Sequence, residues 1–506
     1  MTQAALVRHS PVHLVPDPRR VITRPFHPGE EAQLQGISRA EAVLERVLAM
    51  PEAEVTATVD GVLASFAGRH EDLRATFREH VEFVAHRLPS GALDQGLTQD
   101  RMDLIGACLT HEYSVEAAAL CNPSIVAHPT QDGCAEGELR FVLTLRAVGE
   151  GHVSSLEFRT GVLGADAEVR IDEPSRCLVT GRTTDLAMSV DFLRDSLDQH
   201  GDAVAAESVL RLLPSTFTPV DLDAVLASNA LDSPGRERSD GLLARIRRTA
   251  ASSYRRSFAE HDELSARVIV PHSQAESHGI EDVRLVSFTD EDGVVDYVGT
   301  YTAFDGLHVA PHSIRTRDFL TFDVAPMIGA AAQNKGMALF PRRIDGDVWS
   351  LSRWDRENIS VTRSRDGQRW DAPEVVLTPR HPWDVIQLGA CSSPIETSAG
   401  WLVLTHGVGP MRVYSIGAVL LALDDPTRVV GALDSPLLTP SAADRDGYVP
   451  NVVYTCGAIA HGDVVVMPYG CADASIRFAV IDLPGLLAAL CATPGRTASS
   501  TRVGRP

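Results

Sequence analysis

After Cys121 the chain repeats one local pattern, a Gly-containing turn followed by a short apolar run that ends on a polar or aromatic residue. The runs occupy residues 136–146, 292–302, 345–353, 399–406 and 461–469. The ends of the last four lie 51, 53 and 63 residues apart, a spacing that suits one four-stranded propeller blade each. Two shorter pieces, residues 316–322 and 364–370, share a polar-Arg-Asp turn followed by an aromatic and sit 48 residues apart. Five such elements predict a mainly β chain built as a five-bladed β-propeller, in preference to a sandwich with regular turns.

The first interval breaks the rhythm. From Arg146 to Thr302 the chain runs 156 residues, about 100 more than one blade needs. Apolar residues recur there at helical spacing over 191–197, 204–213, 219–226 and 242–258, which predicts a helical insertion within the first blades. Arg245, Arg247, Arg248, Arg255 and Arg256 fall on the last of these and read as a solvated face or a subunit contact. Before the repeats, residues 1–30 are Pro- and Arg-rich and read as an extended arm, and 38–88 have helical periodicity with Pro51 suited to a first turn. The expected organisation is an N-terminal arm and helical region over 1–110, the start of the propeller over 111–185 and the insertion over 186–262. The rest of the propeller follows over 263–490, with a flexible tail over 491–506.

Charge excludes several functions. A net charge of −21 is the wrong sign for a phosphate backbone or an anionic membrane surface. No run approaches the ~20 apolar residues of a spanning helix, and the N-terminus lacks the apolar stretch of a secretory leader. The eight cysteines include no CxxC pair and read as buried thiols, so a cytoplasmic protein is expected. His308 and His312 are four apart but have no evident third ligand, and neither a metal site nor an organic cofactor is expected. The apolar faces at 40–87 have no assigned partner, so self-association as a homo-oligomer is expected.

Of 46 basic residues 45 are arginine, and the single lysine is Lys335. Where arginine is used so uniformly, the surviving ammonium marks a candidate position for a compact point charge. The repeat ends Arg146, Thr302, Arg353, His406 and Tyr469 are polar side chains that packing does not require; in a funnel they could converge on a sugar or an oxyanion. The segment from Ser277 to Arg284 sets Glu281 and Asp282 beside Arg284 and His278. That combination suits a carboxyl that protonates a leaving oxygen, and it also suits an ordinary salt-bridge cluster.

Nine ordered motifs resemble the β-mannoside phosphorylases and β-mannosidases of glycoside hydrolase family 130. They are Cys121-Asn-Pro-Ser, Leu145-Arg-Ala-Val-Gly-Glu, Gly279-Ile-Glu-Asp-Val-Arg, Tyr301-Thr-Ala-Phe-Asp-Gly and Asn334-Lys-Gly-Met-Ala-Leu-Phe-Pro, followed by Pro394-Ile-Glu-Thr, Gly400-Trp-Leu-Val-Leu-Thr-His-Gly-Val, Tyr448-Val-Pro-Asn-Val-Val and Tyr469-Gly-Cys-Ala-Asp. They span about residues 120–483, omitting the insertion and the N-terminal helices. The resemblance implies a five-bladed propeller and inverting phosphorolysis of β-mannosides to mannose 1-phosphate, with an oligosaccharide and inorganic phosphate as partners. It implies Asp282 as the general acid and Arg146, Lys335 and His406 as the phosphate-binding residues. Asn122, Arg284, Asp305, Arg353 and Asp473 would bind the sugar. A hydrolase would instead need a second carboxylate to activate water, with Glu396 or Glu281 as candidates. A non-catalytic glycan-binding propeller is the alternative of another class. The sequence departs from the family at Val283, where proline is usual, and at Ser415, where arginine is usual; Arg412 lies close enough to substitute.

Overall fold

A computed structural model describes residues 6–28, 38–85, 91, 93, 96–228 and 236–493. It divides into two compact units, one formed by Met1–Pro16, Ala118–Pro174 and Thr180–Pro506, the other by Asp17–Ala117 and Ser175–Val179.

The larger unit is mainly β, and its strands recur as four-stranded antiparallel meanders. The first is Ala119–Ala127, Leu139–Val148, Ser154–Leu163 and Val169–Ile171. Gly279–Thr289, Val295–Phe304, Val309–Thr316 and Thr321–Pro326 make the second. A parallel pairing of Gly279 with Ser154 joins these two into one sheet. Only glycine fits there, because its φ is 144° and a Cβ would lie 2.2 Å from the Ser154 Oγ. The third meander is Ala338–Leu339, Val348–Ser352, Ile359–Ser364 and Glu374–Leu377, and the fourth is Gln387–Ala390, Gly400–Val408, Tyr414–Leu421 and Val429–Ala432. In the fifth, Val453–Tyr454, Val464–Cys471 and Ser475–Asp482 are completed by Val7–Leu14 from the other end of the chain.

The second strands of the fourth and fifth meanders are buried on both faces, and the strand sequences say why. Gly400–Val408 is buried at all nine positions. A strand sends alternate side chains to opposite faces. Trp401 and Val403 therefore join Phe340, Leu351 and Val361 of the third meander, whereas Leu402 and Leu404 join Val453, Val465 and Met467 of the fifth. An unbroken apolar run is the signature of a strand packed on two sides.

The runs recognised from the sequence are strands, and each is the second strand of its meander, lying between its neighbours. The first strands are either interrupted by Pro, Gly or polar residues, as in Ala119–Ala127, Gly279–Thr289 and Gln387–Ala390, or only two residues long, as in Ala338–Leu339 and Val453–Tyr454, which weakens their periodicity. Part of the segment read as an extended arm is the strand Val7–Leu14, whose partner lies more than 460 residues away.

The insertion contains helices Val190–Asp198, Ala203–Leu210, Pro219–Ser228 and Arg236–Ala250, packed around Phe192, Leu193, Leu197, Leu210, Leu222 and Ile246. The chain leaves and returns through strands Arg182–Asp185 and Tyr254–Ser257, which pair with each other and extend the second meander. The last helix stops at Ala250, so Arg255 and Arg256 lie on a strand. Arg245, Arg247 and Arg255 form ion pairs with Asp202, Asp223 and Asp323, an internally satisfied and mostly solvated face. The last helix of the unit is Leu483–Ala492. The expected tail lies outside the described residues from 494 onward.

In the smaller unit, helices Arg39–Ala49, Glu52–Phe66, Leu73–Val84 and Gln99–Cys108 surround Leu44, Val47, Val55, Val59, Leu104 and Ile105. Ser38 and Glu41 form a reciprocal cap on the first helix. The paired strands Val21–Pro25 and Thr110–Ser114 complete it, with a buried 2.8 Å ion pair between Arg20 and Glu116. Among the described residues no helix is long and apolar enough to cross a membrane.

Candidate active site

Two first strands are interrupted by β-bulges, one between Cys121 and Ser124 and one between Glu281 and Arg284. In each bulge a polar residue takes a left-handed backbone, Asn122 at φ 48° and Asp282 at φ 58°. Such a conformation costs a non-glycine residue about 1–3 kcal/mol and persists only where its surroundings hold it. The consequence is directional. Regular alternation would send Glu281 and Asp282 to opposite faces, but the extra residue lets both reach one guanidinium. Arg146, on Leu139–Val148, donates from Nη2 to Glu281 Oε1 at 2.7 Å and from Nη1 to Asp282 Oδ1 at 3.5 Å. Asn122 donates from Nδ2 to the same Asp282 oxygen.

Lys335 completes the cluster by donating from Nζ to Glu281 Oε2. Its loop is shaped by Asn334 at φ 61° and Gly336 at φ 90°. Asn334 accepts from Arg356 Nε at 2.8 Å and donates to the Trp354 carbonyl, which anchors the loop to the residues after Val348–Ser352. With its side chain 36% exposed, the lysine borders the cluster rather than lying buried within it.

Arg284 is buried and each of its three nitrogens donates: Nε to the Cys391 carbonyl at 3.1 Å, Nη1 to the Asp282 carbonyl at 3.0 Å and Nη2 to the Tyr454 hydroxyl at 2.6 Å. It ties the second, fourth and fifth meanders together at the bulge. Arg353 donates from Nη1 to His406 Nε2 at 3.2 Å, and the His406 ring stacks on Tyr414 and contacts Tyr454.

Electrostatics separates the acids. Burial opposes ionisation of Asp282, but Arg146, Lys335 and Arg284 outweigh it and bring its pKa down to about 2. Asp473 lies in the left-handed turn after Val464–Cys471, at φ 47°. Burial, with the nearby charges of Asp282 and Glu281, raises it to about 6 against the opposing pull of Arg146 and Arg412. His406 is shifted well below its ordinary value by burial and by Arg353 and Arg284. These surroundings favour its neutral form, and its Nε2 accepts from Arg353.

The raised Asp473 pKa makes a stability prediction. A carboxyl whose pKa rises from 3.8 to about 6 on folding holds its proton more tightly when native. Stability then falls as pH rises through that window, by up to ~3 kcal/mol. Asp473→Asn should flatten this part of the profile, and melting temperatures from pH 4 to 7 measure it.

The other expected positions have partners of their own. Asp305 accepts from its own turn, from Leu307 N at 2.9 Å and His308 N at 2.6 Å. Thr302 is buried opposite Glu281, and Tyr469 hydrogen-bonds His9 of the N-terminal strand. Glu396 is held bidentately by Arg342 at 2.7 and 2.9 Å, beside a cavity of about 400 Å³ lined by Ile125, Leu285, Pro394 and Ala458. It pairs with Trp401, and His406 is five residues further along that strand, ~16 Å away at 3.3 Å per residue. Glu396 is thus engaged with Arg342 and well separated from His406 along the sheet. Sequence reasoning missed Tyr454 and the Cys391 carbonyl; Tyr454 directly follows one of the quoted motifs, but its partner Arg284 is 170 positions away.

The geometry thus sets a buried acid, Asp282, among paired guanidinium and ammonium groups on a mainly β scaffold. Residues 251–490 match the family described as beta-1,4-mannooligosaccharide phosphorylase, glycoside hydrolase family 130. A 1,2-beta-oligomannan phosphorylase of Thermoanaerobacter sp. (strain X514) is 30% identical over 225 residues, covering 44% of this chain and 74% of that protein. A beta-1,2-mannobiose phosphorylase of Listeria innocua serovar 6a is 32% identical over 215 residues, covering 41% and 59%. The solved beta-1,2-mannobiose phosphorylase from Listeria innocua, in complex with beta-1,2-mannobiose, aligns over 75% of this chain and 93% of its own with 19% identity and a TM-score of 0.46. The chain belongs to glycoside hydrolase family 130 and is an enzyme of that family.

Proposed function

We propose that this enzyme catalyses the inverting phosphorolysis of a β-mannoside, releasing mannose 1-phosphate, on a five-bladed β-propeller. Five meanders of the same strand order, with the N-terminal strand completing the last, support the propeller reading. The observation that carries the chemistry is the convergence of Arg146 and Lys335 beside Asp282. Two cations next to a carboxyl suit a phosphate nucleophile, whose charge must be held during attack. The relatives' names, as phosphorylases of oligomannan and mannobiose, point the same way.

In this reading Arg146 and Lys335 hold the phosphate, Arg353 faces the substrates with His406 orienting it, and Asn122, Asp305 and Asp473 bind mannosyl hydroxyls. Arg284 acts from behind, holding the bulge that aims Asp282. A phosphate oxygen forms a bond to the anomeric carbon as the bond to the leaving oxygen breaks. Asp282 supplies the proton that the departing alcohol needs, and hydrogen phosphate returns one to Asp282, so protons and charge balance. An empty site keeps Asp282 ionised. Phosphate against Arg146 and Lys335 offsets the charges that depress its pKa, so the acid is recharged as the nucleophile binds.

Hydrolysis would require a carboxylate free to activate water. Glu281 bonds to two cations and Glu396 to one, which favours phosphorolysis. The test is incubation with β-1,2- and β-1,4-mannobiose, with and without phosphate. Mannose 1-phosphate formed only with phosphate is expected. Equal free mannose in both tubes would establish a hydrolase, and binding without turnover a glycan-binding protein.

A further inference from the structure

Resting on that reading, one residue of the site is still without a task. The acid is Asp282 and the nucleophile is phosphate, so the chemistry calls for no second carboxylate. Yet the Glu281 side chain is only 9% exposed, and each of its oxygens bonds to a different cation, Oε1 to Arg146 at 2.7 Å and Oε2 to Lys335. The bulge that aims Asp282 also turns Glu281 to the same guanidinium.

We propose that Glu281 is the resident counter-anion of the phosphate site, a positioning residue that holds Arg146 and Lys335 in place and competes with phosphate for both. Each Glu281 oxygen neutralises one of two neighbouring cations, in addition to the Asp282 carboxylate that both also feel. A carboxylate offers two oxygens to two donors, as a phosphate would, so the site is assembled before phosphate arrives. Phosphate must then take over bonds that Glu281 already satisfies, and its binding is weaker than two bare cations would give. The same competition favours release of mannose 1-phosphate, whose phosphoryl oxygens would otherwise remain clamped. The electrostatic link from Arg146 and Lys335 to Asp282 runs through the same cations, so a change at Glu281 also reaches the acid.

The test compares native protein with Glu281→Gln and Glu281→Asp. Isothermal titration with inorganic phosphate alone is combined with steady-state KM values for phosphate and for whichever mannobiose the native enzyme cleaves. Glu281→Gln, which removes the charge and keeps the shape, should tighten phosphate binding about tenfold and lower the phosphate KM in parallel. The mannobiose KM should move much less. Glu281→Asp keeps the charge and should remain near the native phosphate affinity. Circular dichroism verifies folding, and Glu281→Ser replaces the glutamine variant if that does not fold. A folded uncharged variant that binds phosphate no more tightly than native overturns the inference and leaves phosphorolysis standing. A native protein that neither binds phosphate nor needs it for turnover overturns both.

Discussion

Asp282→Asn should lower kcat on any β-mannoside that the native enzyme cleaves by about 10²- to 10⁴-fold, the usual worth of a positioned proton donor. The substitution keeps the side chain's size and leaves Arg146, Lys335 and Arg284 without their shared acid. Phosphate should bind the variant at least as well, and the mannobiose KM should change only a fewfold. That split separates proton delivery from substrate binding. A second signature is stability. The native pKa of about 2 lies below the ordinary 3.8, so ionised Asp282 stabilises the fold above pH ~4, and this contribution is lost as pH falls through about 2. The variant should be less stable than native at pH 7 by on the order of 2 kcal/mol. Full activity in the Asn variant would remove Asp282 from the mechanism.

Deleting residues 1–14 should abolish cooperative folding of the larger unit. Val7–Leu14 is the outer strand of the fifth meander, pairing at five registered positions from Val7 with Ile481 to Leu14 with Ile476. At about 1 kcal/mol net per hydrogen bond, the ladder is worth several kcal/mol. Leu6, 4% exposed in the cluster with Ile481 and Leu486, contributes ~2 more. The sum is comparable with the ~5–15 kcal/mol that holds a typical domain together. Loss of the sharp thermal transition is expected, with recovery when a peptide of residues 1–16 is added. A truncated protein that melts within a few degrees of native would show the strand to be dispensable.

Local pattern was legible where a run of residues carried its own periodicity. The apolar runs at 139–148, 295–304 and 400–408 are strands, and the insertion's helices stand at the spacing expected of them. The motifs also led to Arg146, Asp282 and Lys335, which the fold brings into one network. Other readings needed partners distant in sequence. His406 was expected among the phosphate-binding residues, and a histidine's charge depends on its surroundings. Here burial and the Arg353 and Arg284 guanidiniums favour its neutral form. Glu396 looked like a spare carboxylate until its strand register set it ~16 Å from His406.

By itself, then, the sequence determined the mainly β class, the repeated strand pattern, the helical interruption and the residue types available for chemistry. All of these follow from period and composition within a short window. Tertiary structure alone decided that residues 7–14 close the fifth meander, that Glu281 binds both site cations, and that Asn122 and Asp282 take left-handed turns in bulges. The reason is physical. A period-2 pattern specifies which face a side chain takes, but pairing register and one inserted residue decide which distant partner it meets.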